Sequence, residues 1–362
     1  MTLSVIISHY FGEVQHGITA VRVGWLGVSG FFVLSGFLIG NLILDKKDCG
    51  NFFSVFYVRR ACRILPPYFL TVLLVFGLLF IIKAPWRDAD LEFPLWVYLL
   101  FLQNFWMAAT DSIGAHWLGP MWTLAVEEHF YLVAPALIVF LPRRWLAPVL
   151  FLVCLSALAL KTAVFGFGMF TPNTGFALTP SVADMLGIGV LTSLAVRSGR
   201  FASAIWEKLL PFAPSALLFA VIVLGLSNQA LSNIFRQTLA SLAAGAYIVC
   251  IVRNQPIGQR MRSRVLRFFG DNGYCLYLTH LPVLGLMHGL LLGTRPDLAT
   301  PVQWAVTIAT LPLCVLVGWG MTRLVEEPFM RYGRTWRWAG SAPATADAAQ
   351  NPPSGRALPD TL

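Results

Sequence analysis

Three long runs without Asp, Glu, Lys or Arg constrain this chain most strongly: 23–44, 64–82 and 301–322. Each is close to the ~20 apolar residues that cross a bilayer as an α-helix. Only 12% of the 362 residues are charged and 57% are hydrophobic, whereas soluble domains carry about 25% charge. The runs therefore predict an all-α fold, a polytopic transmembrane helix bundle.

Positive charge indicates how many of the eleven apolar stretches cross the membrane. Five segments hold 20 of the 26 Lys and Arg residues: 45–63, 142–144, 197–208, 253–267 and the stretch from Arg323 onward. All five fall on one side if 93–109, rich in Trp, Phe and Tyr, lies along the outer surface or re-enters instead of crossing. The positive-inside rule then predicts about ten spans with both termini cytoplasmic. These loops account for the net charge of +9, which excludes nucleic acid as a partner.

The two ends of the chain differ from the rest. The first apolar stretch, 1–12, would extend about 18 Å at ~1.5 Å per residue, short of a ~30 Å hydrocarbon core. We expect this first helix to be truncated at its N-terminus. Residues 336–362 are rich in Ala, Pro and Ser and predict a disordered cytoplasmic tail, which leaves 1–335 as one membrane domain. The six cysteines show no CxxC spacing, which indicates neither a disulfide framework nor a metal site.

Ionisable side chains inside apolar stretches are costly, so each is a candidate functional residue. An imidazole accepts and returns protons, which makes His9 a candidate general base; a structural histidine bonded to a backbone carbonyl explains its position equally well. Glu127 shares a helical face with Tyr131, and its alternative role is a polar clamp between helices. The adjacent Glu128 faces another direction.

Two further polar positions favour packing. Tyr277 and His280 are three residues apart, and packing is their favoured role. The alternatives are anchoring of Tyr277 at the membrane interface and a bond of His280 through the bundle interior. Asp184 lies among small residues that allow helices to approach closely. An Arg or His is expected as its partner.

Three arginines crowd the stretch FYVRRACRILPPYF at 56–69. Arg60 and Arg63 are three apart and Arg59 and Arg63 four apart, so on a helix they share a face. Guanidinium groups bind phosphate oxygens in bidentate pairs, which predicts a cytoplasmic anion site for a phosphorylated cofactor. The alternative is simple positive-inside anchoring, for which lysine would serve. Pro66 and Pro67 fit a helix start or a kink.

Seven stretches, taken in order, resemble the acyltransferase-3 family of integral membrane O-acyltransferases. They are SHYFG, GWLGVSGFFVLSGFLIG, FYVRRACRILPPYF, LLFLQNF, MWTLAVEEHFYLVAP, GDNGYCLYLTHLPV and VEEPFMRY. The resemblance covers residues 1–335. It departs from the family at Val23–Gly24, where the family has paired glycines. It departs again at an arginine that the family places eleven residues before the histidine, a position that would precede Met1.

The resemblance implies an enzyme of the bacterial plasma (inner) membrane with many spans. It would transfer an acyl group, often acetyl, from cytoplasmic acyl-CoA to a hydroxyl of an extracytoplasmic saccharide or glycolipid. Acyl-CoA is then a donor substrate, with membrane lipid as surroundings and no cofactor or metal bound permanently. It leaves the acceptor, the acyl chain and the oligomeric state open.

The resemblance also assigns roles to individual residues. His9 matches the essential histidine, Arg60 and Arg63 match the pair associated with acyl-CoA, and Glu326 matches the carboxylate before the terminal Pro. Direct transfer by a general base and a covalent acyl-histidine both remain open. In either mechanism Glu127 or Glu326 would orient or balance the site.

Two other functions remain as alternatives. One is a transporter or flippase for a lipid-linked saccharide, although such proteins often show two related halves and this sequence shows none. The other is an inactive scaffold. The acyltransferase hypothesis requires that Arg60 and Arg63 share a continuous cavity with His9.

Overall fold

The computed structural model describes residues 1–86, 93–199, 208–253 and 263–340. Within these ranges the regular secondary structure is helical, and the only extended pairing there is a single bridge between Gln15 and Asp297. Most of the predicted tail, 341–362, lies outside the described residues. The same holds for parts of the basic segments 197–208 and 253–267.

Fifteen α-helices form the described part of the chain, several extended by a 3-10 or π turn. They are α1 Thr2–Ile7, α2 Leu26–Lys46, α3 Phe52–Ile81, α4 Leu95–Leu99, α5 Gln103–Thr110, α6 Trp122–Phe140, α7 Arg143–Phe165, α8 Pro172–Ala177, α9 Thr179–Arg197, α10 Ala213–Ser227, α11 Gln229–Val252, α12 Arg264–Asp271, α13 Gly273–Leu292, α14 Pro301–Met321 and α15 Glu327–Thr335. The 3-10 turns Thr19–Trp25, His116–Met121 and Leu210–Phe212 lead into α2, α6 and α10, and π turns Ser8–Gly12 and Thr322–Glu326 follow α1 and α14.

Nine helical segments in the described ranges are long and apolar enough to cross a membrane. They correspond to nine of the ten predicted spans and confirm a multi-pass all-α membrane protein. The tenth is the short first stretch, where α1 and its π turn end at Gly12. The stretch 93–109 forms the short helices α4 and α5 instead of one span, as the charge pattern predicts. The orientation of the termini stays a prediction.

Most of the basic segment 45–63 is helical, where the sequence predicted a loop, and only 47–51 form a turn. Helix α3 begins at Phe52, so all three arginines lie in its first turns, and Pro66 and Pro67 lie inside the helix. Proline removes an intrahelical hydrogen bond, but neighbouring groups in a bundle compensate. From a neighbouring helix, the hydroxyl of Tyr274 donates to the Ile64 carbonyl in this stretch at 2.8 Å. The arginines are therefore held on a rigid helix.

Helix α2 packs at the centre of the bundle, against α6, α9 and α11. At Gly36 an added Cβ would collide with the carbonyl of Leu186, and at Gly189 it would collide with the carbonyl of Val33. Small residues thus let the backbones of α2 and α9 meet, as predicted for α9. Elsewhere α13 packs on α14 and α15 packs on α3.

Lys161 corrects one prediction. It lies inside α7 with a fully buried side chain, and it is the partner of Asp184, where an Arg or His was expected. The Nζ atom donates to both carboxylate oxygens at 3.0 and 2.9 Å, and the hydroxyl of Thr238 donates to the same carboxylate at 2.5 Å. This group ties α7, α9 and α11 together.

Candidate active site

The π turn Ser8–Gly12 carries His9 to the edge of the bundle interior. This turn packs on the 3-10 turn Thr19–Trp25, where an added Cβ at Gly24 would collide with the Ser4 carbonyl and the Ser8 Cβ. Gly24 is the one glycine retained where the family has two, and the close approach explains its need. The short first helix is therefore held in place by its neighbours.

Both ring nitrogens of His9 face polar groups. Its Nδ1 lies 2.6 Å from Nε2 of His280. Its Nε2 lies 3.5 Å from the carboxylate of Glu13, which also accepts a hydrogen bond from the Ser8 hydroxyl at 3.1 Å. The carboxylate nearest the imidazole is therefore Glu13, not one of the predicted acids.

His9 borders a cavity of about 160 Å³. Its walls are mostly aromatic and apolar, and its polar groups include Glu13, His116 and Tyr277. Besides Tyr277 and the imidazoles, its aromatic residues are Trp25, Trp122 and Phe176. We call this space the histidine cavity. An apolar cavity with a few convergent polar groups is typical of a ligand site.

The arginines line a second, smaller cavity of about 40 Å³, here called the arginine cavity. Arg59, Arg60 and Arg63 border it from α3, and Arg334 borders it from α15. Arg59 lies over the ring of Trp338, 5.3 Å from its centroid. Because Arg59 also donates to the Trp336 carbonyl at 3.0 Å, it fastens the segment after α15 to α3.

Helix α2 shows how far apart the two cavities lie. Val28 lines the histidine cavity and Leu42 lines the arginine cavity. At ~1.5 Å of rise per residue, this stretch is about 21 Å long. The two cavities have no lining residue in common. What the sequence predicted as one continuous cavity is therefore two in the described structure.

Polar side chains occupy the space between the cavities. Glu127 accepts hydrogen bonds from Ser35, midway along α2, at 2.7 Å and from Tyr131 at 3.2 Å. The guanidinium of Arg60 lies 5.5 Å from the centroid of the Tyr131 ring and interacts electrostatically with Glu127. The predicted shared face of Glu127 and Tyr131 is confirmed. Oε1 of Glu128 is buried without a hydrogen-bond partner among the described residues.

Glu326 lies at the arginine end of the bundle. It is only 3% exposed, accepts a hydrogen bond from the Cys275 thiol at 3.2 Å and interacts electrostatically with Arg63. The neighbouring Glu327 pairs instead with Arg323 and Arg331. Both predicted carboxylates, Glu127 and Glu326, thus accompany the arginines. They do not lie beside His9.

Sequence reasoning missed two residues that line these cavities, Glu13 and Arg334, and the hydrogen-bond partner of His9. Glu13 follows His9 by four positions, the spacing of neighbours on a helix, so this signal was present. Arg334 gave no signal apart from its charge. His280 was interpreted as a packing residue, whereas the structure brings it to His9 across 271 positions of sequence.

Comparison with known proteins gives consistent relatives. A family model described as an acyltransferase domain matches residues 1–319. The peptidoglycan O-acetyltransferase OatA of Listeria monocytogenes is 26% identical over 343 residues, 86% of this chain and 52% of OatA. The acyltransferase MdmB of Streptomyces mycarofaciens is 26% identical over 359 residues, 93% of this chain and 89% of MdmB. The chain thus spans about half the length of OatA. No solved structure matches it.

Proposed function

The chain belongs to the acyltransferase-3 family, and from this membership we propose that it is a membrane O-acyltransferase. It would move an acyl group, acetyl in the simplest case, from cytoplasmic acyl-CoA to a hydroxyl of an extracytoplasmic saccharide or glycolipid. The membrane would be the bacterial inner membrane. The observation that carries the proposal is a pair of cavities at opposite ends of α2, one bordered by an imidazole and one by four arginines.

The arginine cavity supports the donor side of the proposal. Acyl-CoA carries phosphates, and guanidinium groups bind phosphate oxygens through forked, charge-assisted hydrogen bonds. Arg60 and Arg63 would hold the phosphates, with Arg59 and Arg334 around them. This function requires a continuous path between the arginines and His9, and the two cavities are separate in the described structure. The acyl-pantetheine arm would therefore reach His9 only when the side chains between the cavities, Glu127 among them, part.

The histidine cavity supports the acceptor side. Aromatic walls give a sugar ring broad apolar surfaces, and the few polar groups give it orientation. The relative OatA is named for peptidoglycan, which is one such saccharide. We propose the class of acceptor, a glycan hydroxyl, from the cavity.

The chemistry assigned to His9 is general acid–base catalysis. Its imidazole takes the proton of the acceptor hydroxyl as that oxygen attacks the thioester carbon. The carbon–sulfur bond then breaks, and the imidazolium returns the proton to the departing CoA sulfur, so that an ester and free CoA result. Such a base contributes about 10²–10⁴-fold to the rate.

Membrane vesicles containing the protein test this function. With labelled acetyl-CoA and an added peptidoglycan fragment, we expect CoA release that depends on the fragment and label on the product. His9→Ala abolishes both at normal expression, whereas His16→Ala, at a histidine outside the cavities, retains them. Fragment crossing the membrane without CoA release would instead indicate a transporter. Full activity in His9→Ala would remove His9 from the mechanism.

A further inference from the structure

His280 determines the protonation pattern of the pair that it forms with His9. The side chain of His280 is buried, and its Nδ1 lies 2.6 Å from the backbone carbonyl of Tyr277. A carbonyl oxygen only accepts hydrogen bonds. Nδ1 of His280 must therefore carry a hydrogen, and in the neutral ring this leaves Nε2 with a lone pair.

That lone pair is directed at His9. Nε2 of His280 and Nδ1 of His9 are 2.6 Å apart, a hydrogen-bond distance. Because Nε2 of His280 is the acceptor, Nδ1 of His9 is the donor. The two rings are nearly coplanar, at 6° with centroids 4.9 Å apart. Because the two nitrogens are only 2.6 Å apart while the ring centroids are 4.9 Å apart, the rings meet edge to edge. In this geometry the N–H of one ring points along the in-plane lone pair of the other. His9 is thereby held with hydrogen on Nδ1.

The remaining nitrogen of His9 is then the basic one. Its Nε2 carries a lone pair, borders the histidine cavity and faces Glu13 at 3.5 Å. We propose that His280 is a positioning residue that fixes this tautomer and presents Nε2 of His9 as the reacting atom. The inference rests on the proposed function, because it assigns the atom through which His9 acts.

The backbone around His280 is itself held on two sides. The hydroxyl of Tyr10 donates to the His280 carbonyl at 2.9 Å. The hydroxyl of Tyr277 donates to the Pro120 carbonyl at 3.0 Å and lies 3.0 Å from the Thr123 hydroxyl. The carbonyl that orients His280 therefore belongs to a residue anchored to the turn before α6.

The same hydrogen bonds stabilise the protonated state of His9. When Nε2 of His9 takes the acceptor's proton, the Nδ1 hydrogen bond to His280 and the Tyr277 carbonyl behind it stabilise the cation from one side. Glu13 faces it from the other side. A neutral imidazole and a peptide dipole here do what a buried carboxylate does for the histidine of a catalytic triad.

Two substitutions at His280 separate orientation from packing. His280→Leu removes the acceptor, and we expect kcat to fall at least 100-fold with KM for acetyl-CoA unchanged. His280→Gln supplies an amide oxygen near the position of Nε2, and we expect it to restore kcat to within about 10-fold of wild type. His288→Leu, at a buried histidine of the same helix that contacts Thr307, serves as the matched control and retains kcat.

The kinetic outcomes decide between the roles. Wild-type kcat in His280→Leu overturns the proposal. So does His280→Gln that folds, judged by gel filtration and thermal unfolding, yet is as inactive as His280→Leu. The pH profile adds a second criterion. Orientation through Nδ1 predicts that the acid limb of kcat, set by protonation of His9, moves in His280→Leu and stays in His288→Leu.

A second readout needs no enzymatic activity. Diethyl pyrocarbonate modifies unprotonated imidazole nitrogens, and one tryptic peptide, Met1–Arg22, contains His9 with the exposed His16 as internal standard. We expect His280→Leu to slow modification of His9 several-fold relative to His16, because the free ring divides between two tautomers. Equal ratios overturn the proposal. A wild-type protein that lacks transferase activity but shows this effect would refute only the proposed function.

Discussion

The buried pair Lys161–Asp184 gives the sharpest prediction for stability. Both side chains are fully buried, and the Nζ atom contacts both carboxylate oxygens. Asp184→Asn leaves an ammonium group without its counter-charge in the bundle interior. Removing one partner of a buried ion pair costs about 3–5 kcal/mol. We expect Asp184→Asn and Lys161→Met each to lower the free energy of unfolding by this amount.

The double variant tests the reason for the loss. With Lys161→Met and Asp184→Asn together, no charge is left unpaired, and the Thr238 hydroxyl still has an amide to bond. Replacing both members of such a pair by well-packed apolar residues of similar volume is often neutral or stabilising, and Met and Asn likewise remove both charges at similar volume. We therefore expect the double variant to be more stable than either single variant by at least about 2 kcal/mol, a coupling that additivity of independent sites would not give.

Unfolding in mixed micelles with rising dodecyl sulfate, followed by tryptophan fluorescence, measures these differences. The control is Asp45→Asn, which breaks the ion pair between Asp45 and Arg197. The side chain of Asp45 is 52% exposed and that of Arg197 is 30% exposed. An exposed pair contributes about 0–1 kcal/mol. If Asp184→Asn costs no more than Asp45→Asn, or if the two single losses simply add in the double variant, the reasoning is refuted.

Three shorter predictions concern packing, donor binding and pH. Gly36→Ala places a Cβ against the Leu186 carbonyl and should cost about 1–3 kcal/mol in the same unfolding assay, whereas Gly77→Ala, with open space around it, should not. Arg63→Lys loses forked hydrogen bonds worth about 1.5–3 kcal/mol, so KM for acetyl-CoA should rise about 10–100-fold in the vesicle assay; an unchanged KM would remove Arg63 from the donor site. Burial opposes ionisation of Asp297, but hydrogen bonds from His16 and the Leu298 amide outweigh it and lower the pKa of the carboxyl below its ordinary value of 3.8. A lowered carboxyl pKa stabilises the fold above the unfolded value and loses this contribution as pH falls through the folded one. Protease cleavage of 293–300 should therefore increase below pH 3.8 in wild type and change little with pH in Asp297→Asn.

Hydropathy predicted the spans because a lipid-facing backbone must satisfy its own hydrogen bonds. It did not predict where helices begin. Helix α3 starts at Phe52 and α11 at Gln229, well before their uncharged cores, since a helix continues through polar residues once it leaves the hydrocarbon. A window of apolar residues reports contact with lipid, and the bounds of a helix follow from its caps and neighbours.

The candidate site shows the same difference between what local sequence predicts and what packing determines. Local motifs predicted His9, Arg60, Arg63 and Glu127 as site residues, because each stands out as a charge or imidazole in an apolar context. Their partners were harder to find. Lys161 was not predicted as the partner of Asp184, and the partner of His9 on α13 lies 271 positions away. Contacts between distant helices are set by packing, and a single sequence does not contain that information in any local pattern.

Two predicted site residues, His9 and Glu326, lie in the π turns of the described ranges, Ser8–Gly12 and Thr322–Glu326. A π turn adds a residue to the helix and changes the direction of the side chains that follow; such turns are frequent at functional sites. One residue of helical phase corresponds to a rotation of about 100°. That phase decides which of two adjacent glutamates enters the bundle: Glu326 is buried against Cys275, while Glu327 faces arginines at the surface. Both residues are glutamates in the same local sequence, so composition does not distinguish them. The backbone geometry of the turn decides that Glu326 is the carboxylate that interacts with Arg63.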